Sequence, residues 1–253
     1  MNAASISRLC GYALAVEVVA QTGSTNADLL ARAAKLTCAT VLIAERQSAG
    51  RGRAGRSWLS GENSLTFSLA WKFTRPLHAL AGLPLAVGVT LADTLARLDV
   101  NVQLKWPNDL LKDGAKLAGI LIETQSAPDG AIWTVIGIGM NLLLPDDLEA
   151  LIDRPAASAP WLAAMERDAL MGALLSDLTL ALERFEHAGF APFCARWNHL
   201  HAYQGSLVAI IDRGVTIDEG IAAGVDDTGA LLLDRAAGRV AIVAGDVSLR
   251  AQG

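Results

Sequence analysis

The seven residues from Gly50 to Arg56 hold three arginines and three glycines, and Trp58 stands two places further on. Guanidinium forks grip carboxylates and phosphates through paired N–H donors and keep their charge at any working pH. Glycines leave the backbone amides open to close approach. A cationic loop ending in a flat ring therefore suits capture of a phosphate or carboxylate beside an aromatic base. Taken alone, it is equally consistent with a solvated surface segment. The same letters spell Gly50-x-Gly52-x-x-Gly55, the dinucleotide fingerprint, which requires a strand turning into a helix. Here residues 64–71 alternate like a strand, so no helix opens at Gly55 and the fingerprint is rejected.

Other groups able to do chemistry sit at the ends of expected elements. Residues 14–19 read as a strand, and Ser24 or Thr25 caps a helix running to about residue 35, with Asp28 at capping-box offset. Ser24, Thr25 and Asn26 then offer two hydroxyls and an amide at a helix start, which suits a small polar head group. A buried strand over 40–45 leads into the loop of residues 47–58, and another is expected over 63–73. Residues 77–98 carry Ala and Leu at helical spacing and predict a core helix. A short strand over 100–105 stops at Trp106-Pro107, because proline has no ladder donor, and Asn108-Asp109 favour a turn aimed into a site. Asp113-Gly114 signals a hairpin turn into a strand over 116–124, which begins with Lys116. The strand over 132–138 runs into Gly137-Ile138-Gly139-Met140-Asn141, whose glycines permit close approach to backbone. The texture changes from residue 148. A loop over 154–160 leads to a long helix over 161–187 with Met171, Leu174, Leu175, Leu178, Leu182 and Phe185 on one face, then a short helix over 192–199. From residue 206, short alternating strands suggest a small barrel.

Composition narrows the function classes. The 253 residues suit one large domain and one small one, and 52% hydrophobic content supplies a core. A net charge of -5 argues against a general nucleic-acid surface, so the arginine loop is a local feature. Arginine outnumbers lysine by 16 to 5, yet three lysines fall between 105 and 116. Cys10, Cys38 and Cys194 are odd in number and lack metal-site spacing, which favours a reducing compartment and no metal ligands. No apolar run reaches the roughly 20 residues of a membrane helix. Arg8 and the apolar residues 9–16 imitate a signal peptide, but Glu17 breaks the run and no cleavage site follows, which predicts a cytosolic strand.

Four motifs occur in order: Gly50-Arg-Gly-Arg-x-Gly-Arg-x-Trp58, Lys105-Trp-Pro-Asn-Asp-Leu110, Lys116-Leu-Ala-Gly-Ile-Leu-Ile-Glu123 and Gly137-Ile-Gly-Met-Asn141. Together they resemble biotin protein ligases over nearly the whole chain. The resemblance implies an α+β fold: a mixed β-sheet catalytic domain flanked by helices, of the class II aminoacyl-tRNA synthetase and biotin ligase kind, over residues 1–202, and an SH3-like β-barrel over 203–253. It implies ATP and biotin as substrates with Mg²⁺, a biotinyl-5′-AMP intermediate, and transfer to a lysine of a biotin carboxyl carrier protein. It also implies a cytoplasmic enzyme with no nucleic-acid or membrane partner, and it leaves a homodimer open. Many relatives carry an N-terminal winged helix; here the first strand begins within about 15 residues of Met1, which predicts the enzyme-only form.

By the same resemblance Lys116 meets the biotin carboxylate and the α-phosphate, aided by Arg51, Arg53 and Arg56 on a closing loop, while Trp58 covers the adenine. Ser24, Thr25, Asn26 and Gln47 serve the ureido ring, with Gly52 beside Arg51 and Arg53, and the backbone at Gly119, Gly137 and Gly139 lines the slot. Asn108 and Asn141 fall near the nucleotide. Asp109 orients or deprotonates the acceptor lysine, or helps hold Mg²⁺. Lys116, Asp109 and Arg53 form the expected catalytic set. Arg250 resembles an arginine that helps close the nucleotide site. Ala54 and Ser57 depart from relatives that add a cation in the loop. A lipoate–protein ligase shares the chemistry but lacks Lys-Trp-Pro-Asn-Asp; an RNA-binding module would need basic clusters and interleaved aromatics that this chain lacks.

Overall fold

The strands that end at the chemistry-bearing motifs lie in one sheet. A computed structural model of the chain describes residues 1–59, 63–127, 129–144, 155–212, 214–243 and 247–251. The sheet runs β1 (Ala15–Thr22), β2 (Thr40–Gln47), β3 (Ser64–Phe73), β7 (Ile132–Asn141), β6 (Ala115–Ser126), β5 (Asp109–Lys112) and β4 (Gln103–Lys105). β1 and β2 are parallel across the helix α2 (Thr25–Arg32), and every other pair is antiparallel, so the sheet is mixed as expected.

Both faces are covered. Leu29 and Ala33 of the α2 segment pack with Leu42, Val135 and Trp133 on one face. On the other, α3 (Leu83–Arg97) and α5 (Arg167–Ala188) bury Leu85, Leu91, Leu174, Leu178 and Phe185 with Ile43, Phe67, Ile120 and Ile136. Side chains alternate across a strand, so the same strands serve both layers.

Several helix expectations need correction. The segment before the first strand carries a helix of its own, α1 (Ala3–Cys10), capped by Asn2 Oδ1, which accepts from Ser5 N at 2.9 Å, and ended by Gly11 at φ 69°. The run 77–98 divides into a 3-10 turn, Leu77–Leu80, and α3, because Pro84 suits only the first turn of a new helix. Likewise 161–187 divides into α4 (Pro160–Ala163) and α5. Ser24 is the N-cap of α2, which puts Ala27 at the box position; Asp28 instead accepts from the Thr22 hydroxyl. The expected hairpin turn is there: Lys112 faces Ala115, with Asp113 at φ 52° and Gly114 at φ 79°. The start of the texture change, at residue 148, and the Arg154 end of the loop over 154–160 lie outside the described residues.

α6 (Ala191–Leu200) leads to a second sheet, antiparallel throughout, of β11 (Gly238–Ile242), β10 (Leu231–Arg235), β9 (Val215–Val225), β8 (Leu207–Asp212) and β12 (Val247–Ala251) in that order. It is keyed to the first. Trp106 Nε1 donates to Gly229 O at 3.2 Å, and Asn198 exchanges two hydrogen bonds with the Val225 backbone. Buried side chains run without a break from one sheet to the other. The expectation that no apolar run reaches membrane-helix length needs correction too: Leu77–Arg97 does so by length and composition, but 72% of its most apolar window is buried in this fold, as in a core helix.

Candidate active site

Every residue expected at the site except Arg250 lines one cavity of about 470 Å³. Strand ends β2, β3, β6 and β7, the start of α2 and the arginine loop converge there. The loop is built as a small hairpin. Gly52 N donates to Arg56 O at 2.7 Å and Trp58 N to Gly50 O at 2.9 Å, while Arg51 pairs with Ser57. Its tip turns through Ala54 (φ 53°) and Gly55 (φ 70°), so the arginines project from an ordered ribbon and no helix follows.

At one end of the cavity lies a buried polar cluster. Thr25 N donates to Gln47 Oε1 at 2.8 Å, Thr25 Oγ1 lies 2.7 Å from Ser68 Oγ, and Ser68 Oγ donates to Asn26 Oδ1 at 2.6 Å. Asn26 Nδ2 donates to Glu123 Oε2 at 2.9 Å, and Arg51 Nη2 donates to the same oxygen at 2.9 Å. Gly137 is what lets Asn26 in: a Cβ there would fall 2.3 Å from Asn26 Oδ1.

At the centre, Lys116 Nζ stands 2.5 Å from Asp109 Oδ1. That oxygen is sealed from solvent with no donor aligned on it, so the contact is one of charge rather than a directed hydrogen bond. The Trp58 ring roofs this pair, with Lys116 Nζ 5.6 Å from its centroid. The ring lies on the glycines; a Cβ at Gly139 would meet Trp58 Cε2 at 2.3 Å, and one at Gly119 would meet Cζ3 at 3.4 Å. Trp58 Nε1 is buried there without a partner.

On the arginine side, Arg53 Nη1 donates to Asn108 Oδ1 at 3.2 Å, and Asn108 Nδ2 donates to Ile120 O at 2.6 Å. Asn141 Nδ2 ties Lys116 O and Ala157 O together at 3.4 and 3.2 Å. Arg56 Nε donates to Arg53 O at 3.1 Å within the loop. Burial pushes the Tyr203 phenol above its ordinary range, the Arg250 charge pulls it down and Asp109 pushes it up; Arg250 itself is not among the residues that line the cavity. Ser68 and Glu123 were not expected. Ser68 had a signal, since a lone hydroxyl between Phe67 and Leu69 in an apolar strand must find partners when buried. Glu123 ended a motif quoted for its order, and nothing in the sequence pointed its carboxylate at Asn26.

The sequence pattern of the Biotin/lipoate A/B protein ligase family matches residues 18–141, and that of the Biotin protein ligase C terminal domain matches 205–250. The bifunctional ligase/repressor BirA of Escherichia coli (strain K12) is 36% identical over 93% of this chain and 74% of its own length. The biotin--[acetyl-CoA-carboxylase] ligase of Mycobacterium tuberculosis is 36% identical over 92% of this chain and 88% of its own. The chain belongs to the biotin protein ligase family. The fold of this ligase is also that of the Aquifex aeolicus biotin protein ligase in complex with biotin and ATP, with a TM-score of 0.78 at 26% identity over 94% of this chain and 99% of that one. The mixed sheet with flanking helices is thus a biotin ligase fold, and the second sheet falls within the matched C-terminal domain.

Proposed function

We propose that this ligase condenses biotin with ATP to biotinyl-5′-AMP and passes the biotinyl group to a lysine of a biotin carboxyl carrier protein. One observation carries the proposal. A single cavity joins a buried hydroxyl–amide cluster, a lysine–aspartate pair and an arginine hairpin, the three functions the two-step reaction needs. The name of the M. tuberculosis relative supports the carrier of acetyl-CoA carboxylase as acceptor.

Ser24, Thr25, Asn26 and Gln47 meet the ureido ring in a slot whose floor is glycine backbone at Gly137 and Gly139. The carboxylate then approaches the α-phosphorus of ATP, and like charges repel until cations intervene. Lys116 supplies one between the two anions; Arg53 and Arg56, with Arg51 behind them, supply the rest, and Gly52 gives only backbone to the slot. The carboxylate oxygen bonds to phosphorus and pyrophosphate leaves. As Lys116 turns toward the ligand, Asp109 gives up its cationic partner and is free to hold the acceptor ammonium and take its proton. The amine attacks the acyl carbon and AMP departs. Trp58 and the hairpin keep water off the mixed anhydride meanwhile.

Mg²⁺ fits this cavity as the companion of the nucleotide. That ion favours phosphate oxygens and water with one or two carboxylates, and Asp109 is the carboxylate among the described lining residues. The proposal keeps a catalytic domain of residues 1–202 and a C-terminal domain of 203–253. It places the enzyme in the cytoplasm, a setting that suits the free Cys10, Cys38 and Cys194.

The test is direct. Folded protein with ATP, Mg²⁺ and labelled biotin should yield biotinyl-AMP, and adding an apo carrier domain should move the label to its lysine. Failure to form the adenylate would overturn the proposal; adenylate without transfer would overturn the acceptor alone.

A further inference from the structure

Buried in the polar cluster is an amide whose orientation decides what the slot reads. The Asn26 side chain is 3% exposed, and its NH₂ faces two groups that can only accept, Glu123 Oε2 at 2.9 Å and Leu121 O at 3.4 Å. Its Oδ1 takes the Ser68 hydroxyl proton at 2.6 Å and, as an amide oxygen, has capacity for one more donor; Asn26 is a lining residue of the cavity. An amide that could turn over would present a donor there instead. The carbonyl contact is long, so the carboxylate is the stronger restraint.

We propose that Glu123 is a positioning residue that locks the Asn26 amide with its oxygen toward the ligand, making the slot select a ligand N–H. The inference rests on the biotin-ligase proposal above and adds a specificity determinant to it. Glu123 also holds Arg51 Nη2, at 3.1 and 2.9 Å from its two oxygens, so one carboxylate orients the head-group slot and anchors the hairpin. Three donors have their direction fixed by their partners: Ser68 gives to Asn26 Oδ1, Asn26 to Glu123 and Arg51 to Glu123. The Glu123 oxygens accept from both the amide and the guanidinium, and that sets the direction. Because one oxygen takes both Asn26 and Arg51, Glu123→Gln can keep its carbonyl on both; Glu123→Met, of similar volume, has no acceptor of that strength and removes the restraint.

The experiment measures binding of biotin and of two ring-oxygen analogues, each with one ureido N–H replaced by O, to the parent, Glu123→Met and Arg51→Gln. A site built to accept an N–H leaves its acceptor facing a lone pair when the N–H is lost, so the parent should reject one analogue by roughly 100-fold or more relative to biotin. Glu123→Met should lower that ratio by roughly 10-fold or more as the amide turns over. Arg51→Gln should weaken all three ligands together and leave the ratio unchanged. Should Glu123→Met not fold, Glu123→Leu, also without donor or acceptor, must lower the ratio likewise. An unchanged ratio in the Glu123 variant, including parallel weakening of all ligands as a packing role would give, overturns the assignment. So does a parent that accepts both analogues. A parent that binds no biotin overturns the functional proposal itself, a distinguishable result.

Discussion

Lys116 has two claims on its charge, Asp109 at 2.5 Å and the Trp58 ring at 5.6 Å. Neither partner is deeply enclosed: the side chains of the ion pair are 35% and 18% exposed. Ion pairs of that kind contribute about 1 kcal/mol or less to folding, whereas a cation aimed at developing negative charge is worth about 100- to 1,000-fold in rate. Lys116→Ala should therefore cut biotinyl-AMP formation by roughly that factor while the melting temperature moves by about 4 °C at most. A collapse of thermal stability would give Lys116 a structural role instead. Gly139 gives a complementary test. Alanine there places a Cβ 2.3 Å from Trp58 Cε2, so the ring must leave the floor of the cavity. Gly139→Ala should change tryptophan emission and abolish adenylation with the fold intact by circular dichroism; an unchanged spectrum would refute the close fit. These glycines were legible in the sequence as places of close approach, but not what approaches them. Asn26 and Trp58 are the neighbours, and both contacts join residues far apart in the chain.

Among the elements, the hairpin around Arg53 ties the loop to the sheet through Asn108 at 3.2 Å. Removing that side chain should loosen the lid. Arg53→Gly should release biotinyl-AMP into solution, measured as free adenylate and as label on bystander proteins; retention as tight as in the parent would take the hairpin out of the mechanism. Strands were the most legible elements, since the alternation from Ser64 to Phe73 and the Asp113-Gly114 turn each have one local cause. Helices were harder. Arg8 and Leu9 drew attention to a leader-like run, while the cap at Asn2 and the stop at Gly11 were the better signals for α1. Ala164, Met165 and Glu166 break the expected long helix without glycine or proline, because Leu162 packs into the core from a separate turn.

For the molecule as a whole, the order of four motifs carried more information than any one of them, because it is the fold that gathers residues 24 to 141 around a single cavity. The junction of the two sheets could not be read that way. His201 lies there, 4% exposed, against the Trp197 ring at 4.7 Å, with Nε2 lacking a partner. Burial lowers its pKa to about 4 from an ordinary 6.5, and the Gln204 contact opposes this. The unfolded chain thus binds a proton that the folded chain refuses. The stability His201 brings is whole above pH 6.5 and is lost as pH falls toward 4, by up to about 3 kcal/mol. Urea denaturation across that window should show the decline, and His201→Phe should flatten it; an identical slope in the variant would acquit this residue.

Trp106 sits 1% exposed between the sheets with its indole N–H committed to Gly229 O. A division of the sequence at residue 202 is therefore not a division of cohesion: calorimetry should record one heat-absorption peak for both sheets, and a chain shortened to its first 202 residues should precipitate on expression rather than persist as a smaller catalyst. Two separate peaks would show that the bond to Gly229 is a contact between neighbours and not a shared foundation.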